Sequence, residues 1–165
     1  PGENPATLAP DRHFLSTSKK GTTMTYPQTV DITVSVVSPG DSLAFAISTS
    51  GVSGTGEDPT LKVTPSWVNY NFDSTAVSAG WLFTGAGKAT DDAGATTQIL
   101  LVQESGTQTT LPPNAIVNLE EPATSLQLKS LVTEEVQVAF TLAYQKEGSM
   151  LMLHDPQVTN DPDTN

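Results

Sequence analysis

The stretch from Val136 to Tyr144 limits the fold more than any other. Val136, Val138, Phe140, Leu142 and Tyr144 fall on every second residue, with Gln137, Ala139, Thr141 and Ala143 between them. Side chains alternate between the two faces of a strand, so this spacing puts all the large apolar groups on one face. A helix would scatter them around its axis. The same period returns at Val30, Ile32, Val34 and Val36, with Asp31, Thr33 and Ser35 on the other side. Each such strand carries an apolar face that has to be covered.

The rest of the chain has the same texture. Ser38-Pro39-Gly40-Asp41 is a turn signal, and Leu43, Phe45 and Ile47 alternate after it. A Ser/Gly/Thr loop runs from Thr49 to Pro59, and Leu61 and Val63 open a third strand. Further strands are predicted at Trp67–Phe72, Trp81–Thr84 (closed by Gly85-Ala86-Gly87), Gln98–Gln103, Thr107–Leu111, Ala115–Leu119 and Leu126–Leu128. Lys88–Ala95 reads as a loop. Lys146-Glu147-Gly148-Ser149 is a hairpin turn into Met150–Leu153. No window carries a capped helical stripe. About ten short strands separated by turns predict an all-β, antiparallel β-sandwich or jelly roll. The sandwich should span 29–154. Residues 1–28, with Pro1, Pro5 and Pro10 and no periodicity, read as an extended N-terminal arm. Pairing should stop near His154, where Asp155-Pro156 interrupts the ladder, leaving 155–165 as an extended acidic C-terminal arm. Met24-Thr25-Tyr26-Pro27 is itself a candidate start of translation, which would make 1–23 a leader or an arm.

Charge narrows the partners. The 165 residues carry 7 Lys+Arg against 18 Asp+Glu, a net charge of −11. Phosphate binding needs clustered cations, so neither nucleic acid nor an anionic membrane is an expected partner. Only 15% of residues are charged, so Ser and Thr must supply much of the polar surface. Such surfaces suit secreted proteins, shells and appendages, and an extracellular, virion or cell-surface setting is the expectation they carry. The chain has no Cys, which removes disulfides, thiolate metal sites and Cys nucleophiles.

Three pieces, in order, resemble a small family of bacterial proteins of unknown function, the DP-EP family. They are Gly80-Trp81-Leu82-Phe83-Thr84-Gly85-Ala86-Gly87, the Val138–Leu142 strand, and the ending from Gly148 through His154-Asp155-Pro156-Gln157-Val158-Thr159-Asn160-Asp161-Pro162. The resemblance covers about Thr29 to Pro162 and leaves 1–23 outside. It implies an antiparallel sandwich and no established activity. PixA-type inclusion-body proteins are a second resemblance, through a similar strand, Gly turn and Asp-Pro ending.

Candidate chemistry is sparse. His13 and His154 stand in unrelated segments without a nucleophile elbow or metal-ligand spacing. The carboxylate pairs Glu57-Asp58, Asp91-Asp92, Glu120-Glu121 and Glu134-Glu135 sit in loops or at strand ends, where solvated charge is the ordinary reason for them. The expectation is a non-enzyme. Calcium is the one cofactor with suitable chemistry, at Glu57 and Asp58 or at Asp91 and Asp92, because hard cations take oxygen ligands from acidic Gly loops. Trp67 and Trp81 lie near predicted loops and are candidate platforms for stacking on a glycan.

Two function classes follow. The first is a structural or assembly subunit of filament, shell or capsid-decoration type, whose partner is a further copy of itself. Its contacts would come from the arms, through His13, Phe14 and Leu15 and through Asp155, Pro156 and Val158. The second is a carbohydrate-binding β-sandwich module.

Overall fold

The computed structural model describes residues 27–89 and 98–161. Among them run the strands β1 (Gln28–Val37), β2 (Ser42–Ile47), β3 (Thr60–Leu61), β4 (Ser66–Phe72), β5 (Trp81–Lys88) and β6 (Ile99–Val102), then β7 (Gln108–Thr110), β8 (Ile116–Ala123), β9 (Ser125–Ser130), β10 (Val136–Lys146), β11 (Met152–His154) and β12 (Gln157–Asn160). One helix, α1 (Ser74–Ser78), joins β4 to β5. The strands form two sheets that share one apolar core, an all-β sandwich. The first sheet has the order β2-β1-β4-β9-β6-β7, and the second β3-β12-β10-β5-β8. Most neighbours are antiparallel as expected, but β1–β4 and β3–β12 run parallel, so both sheets are mixed.

The period-two faces meet as their spacing predicts. Val30, Ile32, Val34, Val138, Phe140 and Leu142 are buried, with Val136 packed at the margin. Phe72 of the first sheet stacks on Phe83 of the second, ring centroids 4.1 Å apart. The Tyr144 hydroxyl donates to the Asp41 carbonyl at 2.9 Å, fastening β10 to the β1–β2 turn. Burial raises the pKa of that phenol.

The end of the chain departs from expectation. Pairing does not stop at His154. β11 and β12 occupy successive stretches of one edge of β10, with Leu142 opposite His154 and Ala139 opposite Gln157. The register is unchanged across Asp155-Pro156. Pro156 gives up one donor, but its carbonyl still accepts from the Phe140 N–H at 2.8 Å. The segment through Asp161 therefore belongs to the sheet and is not an arm. On its outer side the Gln157, Thr159 and Asp161 N–H groups donate to the Glu57, Pro59 and Leu61 carbonyls. Residues 1–26, with the N-terminal arm through its His13-Phe14-Leu15 patch, lie outside the described residues, as do 90–97 and 162–165.

Two local readings also change. Gly85 and Gly87 do not close a strand, because β5 runs through them to Lys88. A Cβ on Gly85 would lie 2.5 Å from the Val117 carbonyl oxygen, and one on Gly87 2.7 Å from that of Ala115. The glycines are what lets β8 approach. Helix α1 is too short to show a periodic stripe, but its caps are orthodox. The Asp73 carboxylate accepts from the Ala76 N–H and from the Ser35 hydroxyl, at 2.7 and 2.6 Å. Gly80 follows with φ +86°.

The hydrogen bond from Ser35, followed by that from the Ala76 N–H, lowers the Asp73 pKa below its ordinary 3.8. A carboxyl depressed in the folded state contributes stability that is present above its unfolded pKa and lost as pH falls through the folded value. Asp73→Ala should lower stability by about 1 kcal/mol at neutral pH, the usual loss for an N-cap. The deficit should shrink once pH falls below about 4, near the unfolded value. Urea unfolding of both forms at neutral and acid pH checks this, and a deficit independent of pH would contradict the capping role.

Candidate functional site

The predicted site residues are scattered. Trp81 is 5% exposed and tilts against Tyr144, ring centroids 5.8 Å apart. It shares the inward parity of Phe83 and fills the core, so it cannot serve as a glycan platform. Trp67 lies within β4, on the outer face of the first sheet, and is half-buried. The Lys129 ammonium sits over its ring, 5.1 Å from the centroid.

Glu57 and Asp58 do meet other functional groups, but not as a cation cage. The Asp58 carboxylate accepts from the Thr159 hydroxyl at 2.9 Å and from the Gln137 amide at 3.3 Å. It ties the 49–59 loop to β12 and β10. Glu57 pairs with His154 Nε2 at 3.1 Å, and the His154 ring packs against Phe45. Among the described residues no three His, Cys, Asp or Glu side chains come together as metal ligands. Asp91 and Asp92 lie outside the described residues.

The proposed C-terminal contacts are mostly internal. Val158 is 2% exposed, within the core, and Pro156 is buried. Asp155 is exposed and accepts from the Thr141 hydroxyl at 2.7 Å across the β10 pairing. The exposed apolar groups lie just before them. Met150, Leu151 and Leu153 are 86, 54 and 57% exposed. Leu153 and the partly exposed Ile116 flank a shallow groove of about 430 Å³ that Gly87, Ala139 and Thr141 also line. Among the described residues β11 pairs with β10 alone. Its other edge meets no further strand of the described residues, and the stretch from Met150 to Leu153 beside it carries no charged residue.

The β8 edge is treated differently. Gln103, 7% exposed, reaches it from the end of β6. Its amide nitrogen donates to the Asn118 carbonyl at 3.1 Å and its oxygen accepts from the Glu120 N–H at 2.9 Å. A primary amide can present an N–H donor and a carbonyl acceptor side by side in one plane, so Gln103 replaces a neighbouring strand at that point.

A second feature missed from sequence is an open groove of about 910 Å³ where the chain passes from β8 in the second sheet to β9 in the first. Asn69, Asn71, Gln103, Glu120 and Gln127 are among its lining. Strand pairing places Asp31, Asn69 and Gln127 in one row across β1, β4 and β9. Asp31 Oδ1 accepts from the Asn69 amide at 2.8 Å, and Asn69 Oδ1 accepts from the Gln127 amide at 2.6 Å. The alternation at Asn69 and Asn71 was visible in the sequence. Gln127, the partner of Asn69, was not, because it joins the row only through long-range pairing. No model of a known protein family matches the chain, and no curated protein matches it.

Proposed function

We propose that this protein is a non-enzymatic structural subunit that assembles with copies of itself, as in a filament, shell or capsid decoration. The observation that carries the reading is the β11 edge with Met150, Leu151 and Leu153 beside it. A strand edge with apolar flanks is a template for strand addition from another chain. Natural edges are usually guarded by charge, and this one lacks it from Met150 to Leu153. The occupant is a second copy, because a second copy brings the same exposed, uncharged Met150–Leu153 stretch, over which two chains of net charge −11 can approach with least repulsion. The contact sits in the hairpin and not in a C-terminal arm. The DP-EP resemblance is proposed with it, on the same three pieces, and adds no activity.

Light scattering of the full chain over a concentration series tests this. The expected result is self-association that Leu151→Glu with Leu153→Glu abolishes, with the unfolding midpoint unchanged at a dilution where both forms are monomeric, because both side chains are already exposed. A full-length chain that stays monomeric at every concentration would overturn the reading.

A second reading, a carbohydrate-binding module, is supported by a different observation. Trp67 is partly exposed on the outer face of the first sheet, beside a row of amides. Trp81 no longer contributes to it.

A further inference from the structure

We infer that the groove beside β8 and the outer face of β4 form one extended site for a neutral oligosaccharide, which Trp67 receives at one end and Asn71 at the other. The inference rests on the carbohydrate-binding reading and names its ligand class and its polar subsite.

Trp67, Asn69 and Asn71 share the outer face of β4. Four residues of strand span about 13 Å, so the row is long enough for more than one sugar ring. Their partners across β9 are Lys129, Gln127 and Ser125. The amide orientations follow from Asp31. An ionised carboxylate only accepts, so Asn69 must turn its nitrogen toward Asp31 and its oxygen toward Gln127. Gln127, which lines the groove, must then donate, and its own oxygen remains an acceptor. Each amide nitrogen keeps a second N–H. Donors and acceptors thus stand side by side along the row. Hydroxyl groups on adjacent sugar carbons each donate and accept, and they match such a row. Groups already held by hydrogen bonds lose little freedom when the ligand arrives.

Charge selects among glycans. The groove wall carries Glu104, Glu120 and Glu121, and among the described residues its lining contains no Lys or Arg. Glu120 is held in place by the Ser105 hydroxyl at 3.1 Å. Uronic, sialic or sulfated sugars would meet repulsion there. Lys129 is the strand partner of Trp67 at one end of the row, and it covers the ring that a sugar would use. An exposed cation–π contact is weak, so Lys129 acts as a displaceable cover.

Calorimetric titration of the full chain tests the inference. The probes are neutral cello-, xylo-, manno- and malto-hexasaccharides, polygalacturonate oligomers, heparin fragments and a Lys-rich peptide. The variants are Trp67→Ala, Gln127→Ala, Asn71→Ala and Lys129→Ala, each first checked for an unchanged unfolding midpoint. The expected result is binding of at least one neutral glycan. Trp67→Ala and Gln127→Ala should each weaken it about tenfold, the size of one lost net hydrogen bond or aromatic contact. Lys129→Ala should leave affinity unchanged or raise it. Neutral binding that depends on Trp67 but not on Gln127 or Asn71 overturns the groove while the carbohydrate reading stands. Binding of acidic glycans alone overturns the assigned ligand class and leaves that reading standing. Binding of the basic peptide alone, or of no probe, overturns both.

Discussion

Phe83→Ala should lower the free energy of unfolding by about 3–5 kcal/mol, the range for removing a buried aromatic ring. Phe83 has no exposed surface, and its ring lies on Phe72 with an interplanar angle of 13°. The two rings come from opposite sheets, so the contact joins the halves of the sandwich. The loss combines the transfer of apolar area, the unfilled space and an aromatic pair contribution of about 0.5–1.5 kcal/mol. A single domain is stable by only about 5–15 kcal/mol, so the variant should unfold at clearly lower urea concentration. Val77→Ala, at a side chain 42% exposed, is the control and should stay within about 0.5 kcal/mol. A Phe83 loss below about 1 kcal/mol would mean that the two sheets do not close over this ring.

Val158→Asp should cost about 3–5 kcal/mol at neutral pH, because it leaves a carboxylate among apolar groups without a partner. Val158 pairs with Val138 in β10 and is part of the core. Burial raises the new carboxyl's pKa in the folded state. The deficit should therefore be small below about pH 4, where the unfolded chain is protonated too, and grow as pH rises. It should also be independent of protein concentration, since the strand pairs within its own chain. Unfolding curves at two pH values and two concentrations check both points. A deficit that shrinks as concentration rises would show that this strand is exchanged between copies.

What could be read from the residues was mostly the inward face of each strand. Val30 to Val36 and Val136 to Tyr144 needed only their alternation. Trp81 could have been assigned to the core in the same way, since it shares parity with Phe83; the neighbouring Gly80 drew it toward the loops instead. Asp73 and Gly80 bracket α1 as a cap and a stop, but five residues give no room for a stripe. The ending departs from its sequence signal because a missing N–H at Pro156 does not end the pairing: β10 still donates to the Pro156 carbonyl. The polar groove was the least legible. Asn69 and Gln127 are 58 residues apart, and nothing local in either strand says that β4 and β9 are neighbours.

The Gln103 clasp on β8 has a consequence for how this protein tolerates its surroundings. Edges defended by lysine or aspartate depend on charge, so salt weakens the defence and titration can remove it. A carboxamide has no charge to screen and no proton to gain in the ordinary range. The two hydrogen bonds at Asn118 and Glu120 therefore persist in brine, in acid and in dilute buffer alike, while the Glu120 and Glu121 side chains of the same strand change their character with each of them.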